Sequence, residues 1–197
     1  GMGFADAAAL IHAGVCVVIC LLDTAQIQPD MRVLIHGGSG AIGPLAIQLA
    51  KSRGAFVATT CRALNKAFVL DIGADIAVAY DQEDFTDISD PFDIVLDLVG
   101  GEVNARSYNV LRKGGHLVCL NAAPITDLSE QFGVRMTVAR IHETPEILSR
   151  VMALAGQGVL RPRVAMTLPL AQASEAHRRM EQGGAGPGRI ILEIPPL

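Results

Sequence analysis

The chain has 197 residues, a formal net charge of −4 and 50% hydrophobic residues. At roughly 150 residues per domain this is about 1.3 domains, and an apolar half with 18% charged residues excludes intrinsic disorder. The acidic balance, 4% aromatics and absence of tryptophan argue against nucleic acid as the main partner, which would call for a basic stripe and stacking platforms.

Mean hydropathy is +0.38, so membranes are the first suspect. The most apolar stretch, residues 7–22, runs for about 16 residues, contains His12 and is bounded by Asp6 and Asp23. A spanning helix needs roughly 20, and the start lacks the Arg/Lys of a secretory signal. A buried helix and no membrane are the expectation. The four cysteines Cys16, Cys20, Cys61 and Cys119 lie in apolar runs without a CxxC pair, as buried, reduced thiols of a cytoplasmic protein would.

Gln28-Pro29-Asp30 signals a turn, and residues 31–36 read as a buried strand broken by Gly37-Gly38-Ser39-Gly40. From residue 41 a helix is predicted, with Ile42, Leu45, Ala46 and Leu49 at helical spacing and Pro44 in the first turn, where a missing N–H is harmless. The alternation repeats: strand 55–60, helix 64–72 closed by Gly73, strand 76–80, acidic loop 81–91, strand 92–99 ended by Gly100-Gly101, helix 104–111, turn at Gly114-Gly115, strand 116–120 and strand 134–141. Strands apolar on both faces belong to a parallel sheet with helices on both sides. The predicted fold is therefore α/β, a doubly wound parallel sheet of about six strands. A helix over 146–155 follows, then a strand over 163–168, a polar helix over 171–181, a glycine loop over 183–188 and a strand over 189–194. The last two strands have no obvious place in the sheet and read as a remnant of a second domain. The predicted organisation is a helical lead-in (1–30), a dinucleotide-binding domain (31–158) and a C-terminal tail (159–197).

Gly38-x-Gly40-x-x-Gly43 follows a predicted strand and opens a predicted helix, the context in which GxGxxG binds a dinucleotide. The glycines let the backbone approach a pyrophosphate, Ser39 lies within the turn, and N–H groups near Ala41 and Ile42 meet its oxygens at the positive end of a helix dipole. NAD-selective folds place an acid about 20 residues later for the ribose 2′-hydroxyl. Here Thr60, Arg62 and Lys66 stand in that region and no acid does. A 2′-phosphate suits a hydroxyl and two cations, so NADPH is favoured over NADH; the competing reading is a solvated helix face. Rival chemistries lack their residues. Tyr108 and Tyr80 are followed at the Tyr-x-x-x-Lys spacing by Arg112 and Asp84, and Gly43 is followed by Pro44 instead of a Walker lysine. Neither GxSxG nor HExxH occurs, and the five histidines are scattered.

The run from Val33 to Gly43 (VLIHGGSGAIG), continuing AIQLAK to Lys51, resembles zinc-independent medium-chain dehydrogenase/reductases of the alcohol dehydrogenase superfamily, the quinone oxidoreductase-like and enoyl reductase-like members. Gly73-Ala74-Asp75, DIVLDLVGG ending at Gly101, LRKGGHLVCL ending at Leu120 and LAQASEAHRRM ending at Met180 are similar too. The resemblance implies that Lys66 binds a 2′-phosphate beside Thr60 and Arg62, that Tyr80 contacts the cofactor, and that loops at Val99 and Asn121 approach ribose and nicotinamide. It implies hydride transfer to a quinone or an α,β-unsaturated carbonyl compound, with no zinc and no catalytic side chain assigned. Such proteins begin with a mostly β catalytic domain that this chain lacks, and Cys16-Val17-Val18 stands where the family commonly has Thr-Ala-Tyr. The isolated chain is expected to bind cofactor with little turnover; the alternative is a non-catalytic nucleotide-binding or interaction module acting with a partner chain. The strand at 134–141 would be a sheet edge, which invites pairing with a second copy, and family members often dimerise there.

Overall fold

Six strands, most of them with apolar, buried stretches, set the architecture. The computed structural model describes residues 2–120, 124–183 and 186–194. Strands β1 (Arg32–His36), β2 (Phe56–Cys61), β3 (Ile76–Ala79), β4 (Phe92–Asp97), β5 (Leu111–Cys119) and β6 (Arg135–Val138) form one sheet in the order β3-β2-β1-β4-β5-β6. Every neighbouring pair is parallel, and the order is that of a Rossmann fold. Because β-strand side chains alternate between faces, Val33 and Ile35 join a core with α1 (Phe4–Val17), α2 (Gly43–Ser52) and α6 (Pro145–Gly156), whereas Leu34 joins a second core with Phe85, Phe92 and Tyr108. The remaining helices are α3 (Lys66–Asp71), α4 (Glu102–Ser107), α5 (Ser129–Phe132) and α7 (Ala173–Glu181).

Register decides where function can sit. His36 lies opposite Thr60 on one side and Asp97 on the other. The C-terminal ends of β1, β2 and β4 thus finish level, at the switch point where open α/β sheets bind ligands.

Two expectations change. The N-terminal apolar segment is longer than its 16-residue core: α1 runs into a wider, π-type stretch over Val18–Thr24, giving a continuous helix of 21 residues. Its length and apolarity would suffice to cross a membrane, but 61% of its most apolar window is packed inside the protein. Gly14 lets it nest against α6, since a Cβ there would stand 2.5 Å from Val151 Cγ1. Second, Gly114-Gly115 is no turn between elements. Both glycines lie inside β5, where the pairing with β4 jumps from Phe92↔Leu111 to Ile94↔His116. Gly114, at φ +75°, absorbs that bulge, as glycine readily does. The two terminal strands, β7 (Val164–Pro169) and β8 (Arg189–Glu193), stand outside the large sheet as expected and pair with each other in parallel as a separate two-stranded sheet. Smaller shifts are a start of α2 at Gly43 instead of residue 41, and a 3₁₀ turn (Ala63–Asn65) ahead of α3.

Candidate functional site

The glycine turn after β1 is built for closeness. Gly37 has φ +80°, a region that favours glycine. A Cβ on Gly38 would stand 3.0 Å from Thr59 Cβ, and one on Gly43 2.6 Å from Gly38 Cα. Both values are below or at the limit of real contacts, and at Gly43 the obstacle is backbone. The turn is pinned by Gly38 N–H donating to Thr60 O at 2.9 Å and Gly40 N–H to Gly37 O at 3.1 Å. Helix α2 starts here, and its N-cap Ile42 makes no side-chain capping bond. The helix therefore presents backbone donors and the positive end of its dipole outward.

That end opens onto a cavity of about 840 Å³ lined by Ser39, Gly40, Ala41, Ile42, Thr60, Tyr80 and Val99 among the expected residues. A second cavity of about 530 Å³ shares Ser39, Gly40, Ala41 and Tyr80 with the first and adds Arg62. Gly38 and Gly43 shape the turn without lining either space. Lys66, at the start of α3, lines neither; its Nζ is held by both oxygens of Glu83 at 2.8 and 3.0 Å. Asn121 falls outside the described residues.

The inner wall is polar and buried, and hydrogen bonds connect it except at Asn104 Oδ1, which has no partner among the described residues. His36, with no exposed surface, lies between Thr60 Oγ1 (3.2 Å from Nδ1) and Ser107 Oγ (3.0 Å from Nε2). Ser107 Oγ donates to Val103 O at 2.7 Å, so it accepts from Nε2–H; Nδ1 is then the acceptor for the Thr60 hydroxyl, which itself accepts from Gly37 N–H at 3.2 Å. This wiring requires a neutral imidazole, and burial pushes the His36 pKa down to about 4. Asp97, equally buried, accepts on Oδ1 from the N–H groups of Val99 (2.9 Å) and Gly100 (2.8 Å) and on Oδ2 from Asn104 Nδ2 (3.1 Å). It fixes the loop that carries Val99.

The outer rim is charged and exposed. Arg62 Nε donates to Tyr80 Oη at 3.1 Å, and its Nη1 reaches Gly183 O at 3.4 Å. Asp81 caps Ala63 N–H at 2.8 Å. Asp84 pairs with Arg106, whose guanidinium stands 5.1 Å from the Phe85 ring centroid; all three line the larger cavity. The C-terminal loop closes on the glycine turn through Gly188 N–H, which donates to Ser39 O at 3.1 Å. Sequence reasoning missed Glu83, Asp84, Phe85 and Arg106, although the loop over 81–91 was marked as acidic. His36 has a structural part, joining β1 to the Thr60 end of β2.

Among the described residues no group of three His, Cys, Asp or Glu is arranged to hold a metal. Burial raises the thiols of Cys16, Cys20 and Cys119 to about 11, 12 and 12, so they are protonated as they stand at neutral pH. No zinc-dependent step is derived from these residues.

Comparison with known proteins finds a zinc-binding dehydrogenase family model matching residues 72–192. A quinone oxidoreductase from Coxiella burnetii is similar in structure, with TM-score 0.84 and 31% identity over 98% of this chain and 62% of that one. The Escherichia coli quinone oxidoreductase solved in complex with NADPH superposes with TM-score 0.86 at 26% identity, covering 96% of this chain and 66% of its own. The 2-methylene-furan-3-one reductase of Solanum lycopersicum is 31% identical over 199 residues, which span 98% of this chain and 48% of the reductase. The chain thus covers less than two thirds of each of these relatives.

Proposed function

The chain belongs to the zinc-binding dehydrogenase family, and from that premise we propose that it is the NADPH-binding part of a zinc-independent reductase. The observation that carries the reading is the uncapped start of α2 behind glycines with no room for a Cβ, facing a cavity large enough for half a dinucleotide or more. A pyrophosphate would lie against Ser39, Gly40, Ala41 and Ile42, which line that cavity, and accept from backbone N–H groups. Arg62, Lys66 and Tyr80 would receive the adenosine 2′-phosphate, with Thr60 shaping the wall beneath. Val99, and in this reading Asn121, would approach the nicotinamide end.

The bound cofactor would supply the hydride, transferred to a quinone or an α,β-unsaturated carbonyl compound. The protein's own part is placement. Asp97 holds the Val99 loop, and neutral His36 joins the ends of β1 and β2 beneath the glycine turn. Residues 31–158 would form the cofactor domain, and 159–197 would complete a catalytic domain outside this chain. We accordingly propose cofactor binding with little turnover by the chain alone; robust oxidation of NADPH with quinones or enones would overturn that part. The four free cysteines support a reducing, cytoplasmic setting. Edge strand β6 supports a homodimer, and a monomeric scattering mass in solution would remove it.

The test of the site is a titration with NADPH and NADH, repeated on Lys66→Ala. The reading expects tighter NADPH binding, weakened roughly tenfold in the variant as for a lost charge-assisted contact, with NADH little changed. Equal affinities in both proteins would contradict the 2′-phosphate assignment.

A further inference from the structure

The acid that NAD-selective folds carry at the end of the second strand is absent after β2, where Cys61-Arg62 stands. A carboxylate nevertheless lines the larger cavity, delivered from the loop after β3: Glu83. It is held firmly. Glu83 Oε2 accepts Ala79 N–H at 2.7 Å, and the same carboxylate grips Lys66 Nζ with both oxygens. These bonds keep the Glu83 carboxyl below the usual carboxylate range, so it is ionised at neutral pH. The other cation differs. Arg62 meets only the neutral Tyr80 hydroxyl and Gly183 carbonyl in its hydrogen bonds, and among the described residues no carboxylate forms an ion pair with it. The two cations of the adenosine side are thus unequal: Lys66 is neutralised, Arg62 is not.

We infer that Glu83 is a specificity-determining residue that lowers the preference for NADPH over NADH, by holding Lys66, by opposing a 2′-phosphate, and by offering an acceptor to a ribose 2′-hydroxyl. The acid of the second strand is in effect replaced by one from the loop after the third. The inference rests on the cofactor reading above. A half-exposed ion pair such as Lys66–Glu83 (side chains 35% and 46% exposed) contributes little to stability, so its exchange for a phosphate is accessible, and the charge left on Glu83 then acts on the ligand.

Glu83→Gln removes the charge and keeps an oxygen for Ala79 N–H. Dissociation constants for NADPH and NADH are measured on the full chain by calorimetry, for the wild type, Glu83→Gln and a second variant, Glu83→Ser, should the first fail to fold. The expected result is a rise of roughly 10-fold in the ratio of NADPH to NADH affinity, as for a charge-assisted interaction gained. The rise should shrink at high salt and be at least halved when Lys66→Met is combined with it, because the two groups are coupled. An unchanged or reduced ratio in a folded variant, with both dinucleotides still bound, overturns the inference and leaves the cofactor reading standing. A wild-type chain that binds neither dinucleotide overturns both.

Discussion

The inner wall and the outer rim of the cavity are made of equally polar residues put to opposite uses. On the wall, His36, Asp97, Asn104 and Ser107 have no exposed surface, and hydrogen bonds tie each to a strand end or a loop. On the rim, Arg62, Lys66, Tyr80 and Glu83 are wet and held by pairs that a ligand can exchange. A buried polar group left without its partner loses the full desolvation energy, whereas an exposed ion pair is worth at most about 1 kcal/mol. The wall should therefore govern whether the fold and the site exist, and the rim should govern which ligand is chosen.

The widest separation comes from Asp97→Ala. It leaves the buried N–H of Gly100 and the part-buried N–H of Val99 without their acceptor, at one to three kcal/mol for a buried group and less for one that water can reach, so a loss of about 3 kcal/mol is expected in urea denaturation. Asp97→Asn retains one accepting oxygen and should lose about half. A loss below about 1 kcal/mol for the alanine variant would place Asp97 with the rim and erase the distinction. Next comes Gly43→Ala. Its Cβ would collide with backbone atoms of Gly37 and Gly38, which cannot swing aside, so roughly 3 kcal/mol of strain and loss of dinucleotide binding are expected. Gly40→Ala is the contrast: its nearest neighbour would be Gly37 O at 3.3 Å, a milder clash, so stability should fall by less than in Gly43→Ala even though the added methyl group still faces the cavity that would take the pyrophosphate.

The wall also has a pH signature. Burial lowers His36 from 6.5 to about 4, and His116, beside Thr137, likewise to about 4. Below pH 6.5 the unfolded chain binds protons that the folded chain refuses. Stability is therefore complete above about 6.5 and falls as the pH drops toward 4, by on the order of 2–3 kcal/mol for each histidine. His36→Gln should flatten that slope in a series of melts. A wild-type stability independent of pH between 6.5 and 4 would contradict neutral, buried imidazoles.

The same division explains what could be read in advance. The strands of the large sheet, the glycine turn and α2 were legible because apolar runs and glycine spacing are local properties. So were Thr60 and Arg62, which lie at a fixed offset from the motif. Glu83, Asp84, Phe85 and Arg106 were not, because they reach the cavity from the segment after β3 and from α4 after β4, whose meeting only the strand order decides. Lys66 was identified as a cation but not as a paired one, since Glu83 is 17 residues away. Gly114-Gly115 misled because a bulge and a turn ask for the same residue. The partnership of β7 with β8 was hidden by sequence distance, with α7 between them.

The smallest effect is the sharpest test of the rim, because it changes one oxygen. Tyr80→Phe keeps the ring against the cavity and removes the hydroxyl that accepts from Arg62 Nε. Tyr80 is 56% exposed, so water can replace the lost bond and stability should change by less than about 0.5 kcal/mol. Binding should respond more than stability. A guanidinium released from its orienting partner must be ordered by the ligand, which loses about 1 kcal/mol of affinity, or roughly fivefold, for a single hydrogen bond. Only a dinucleotide that uses Arg62 will register the change, so NADPH should weaken and NADH should not. Equal weakening of both would mean that Tyr80 acts through its contact with the shared part of the cofactor, and the rim would then position the ligand without selecting it.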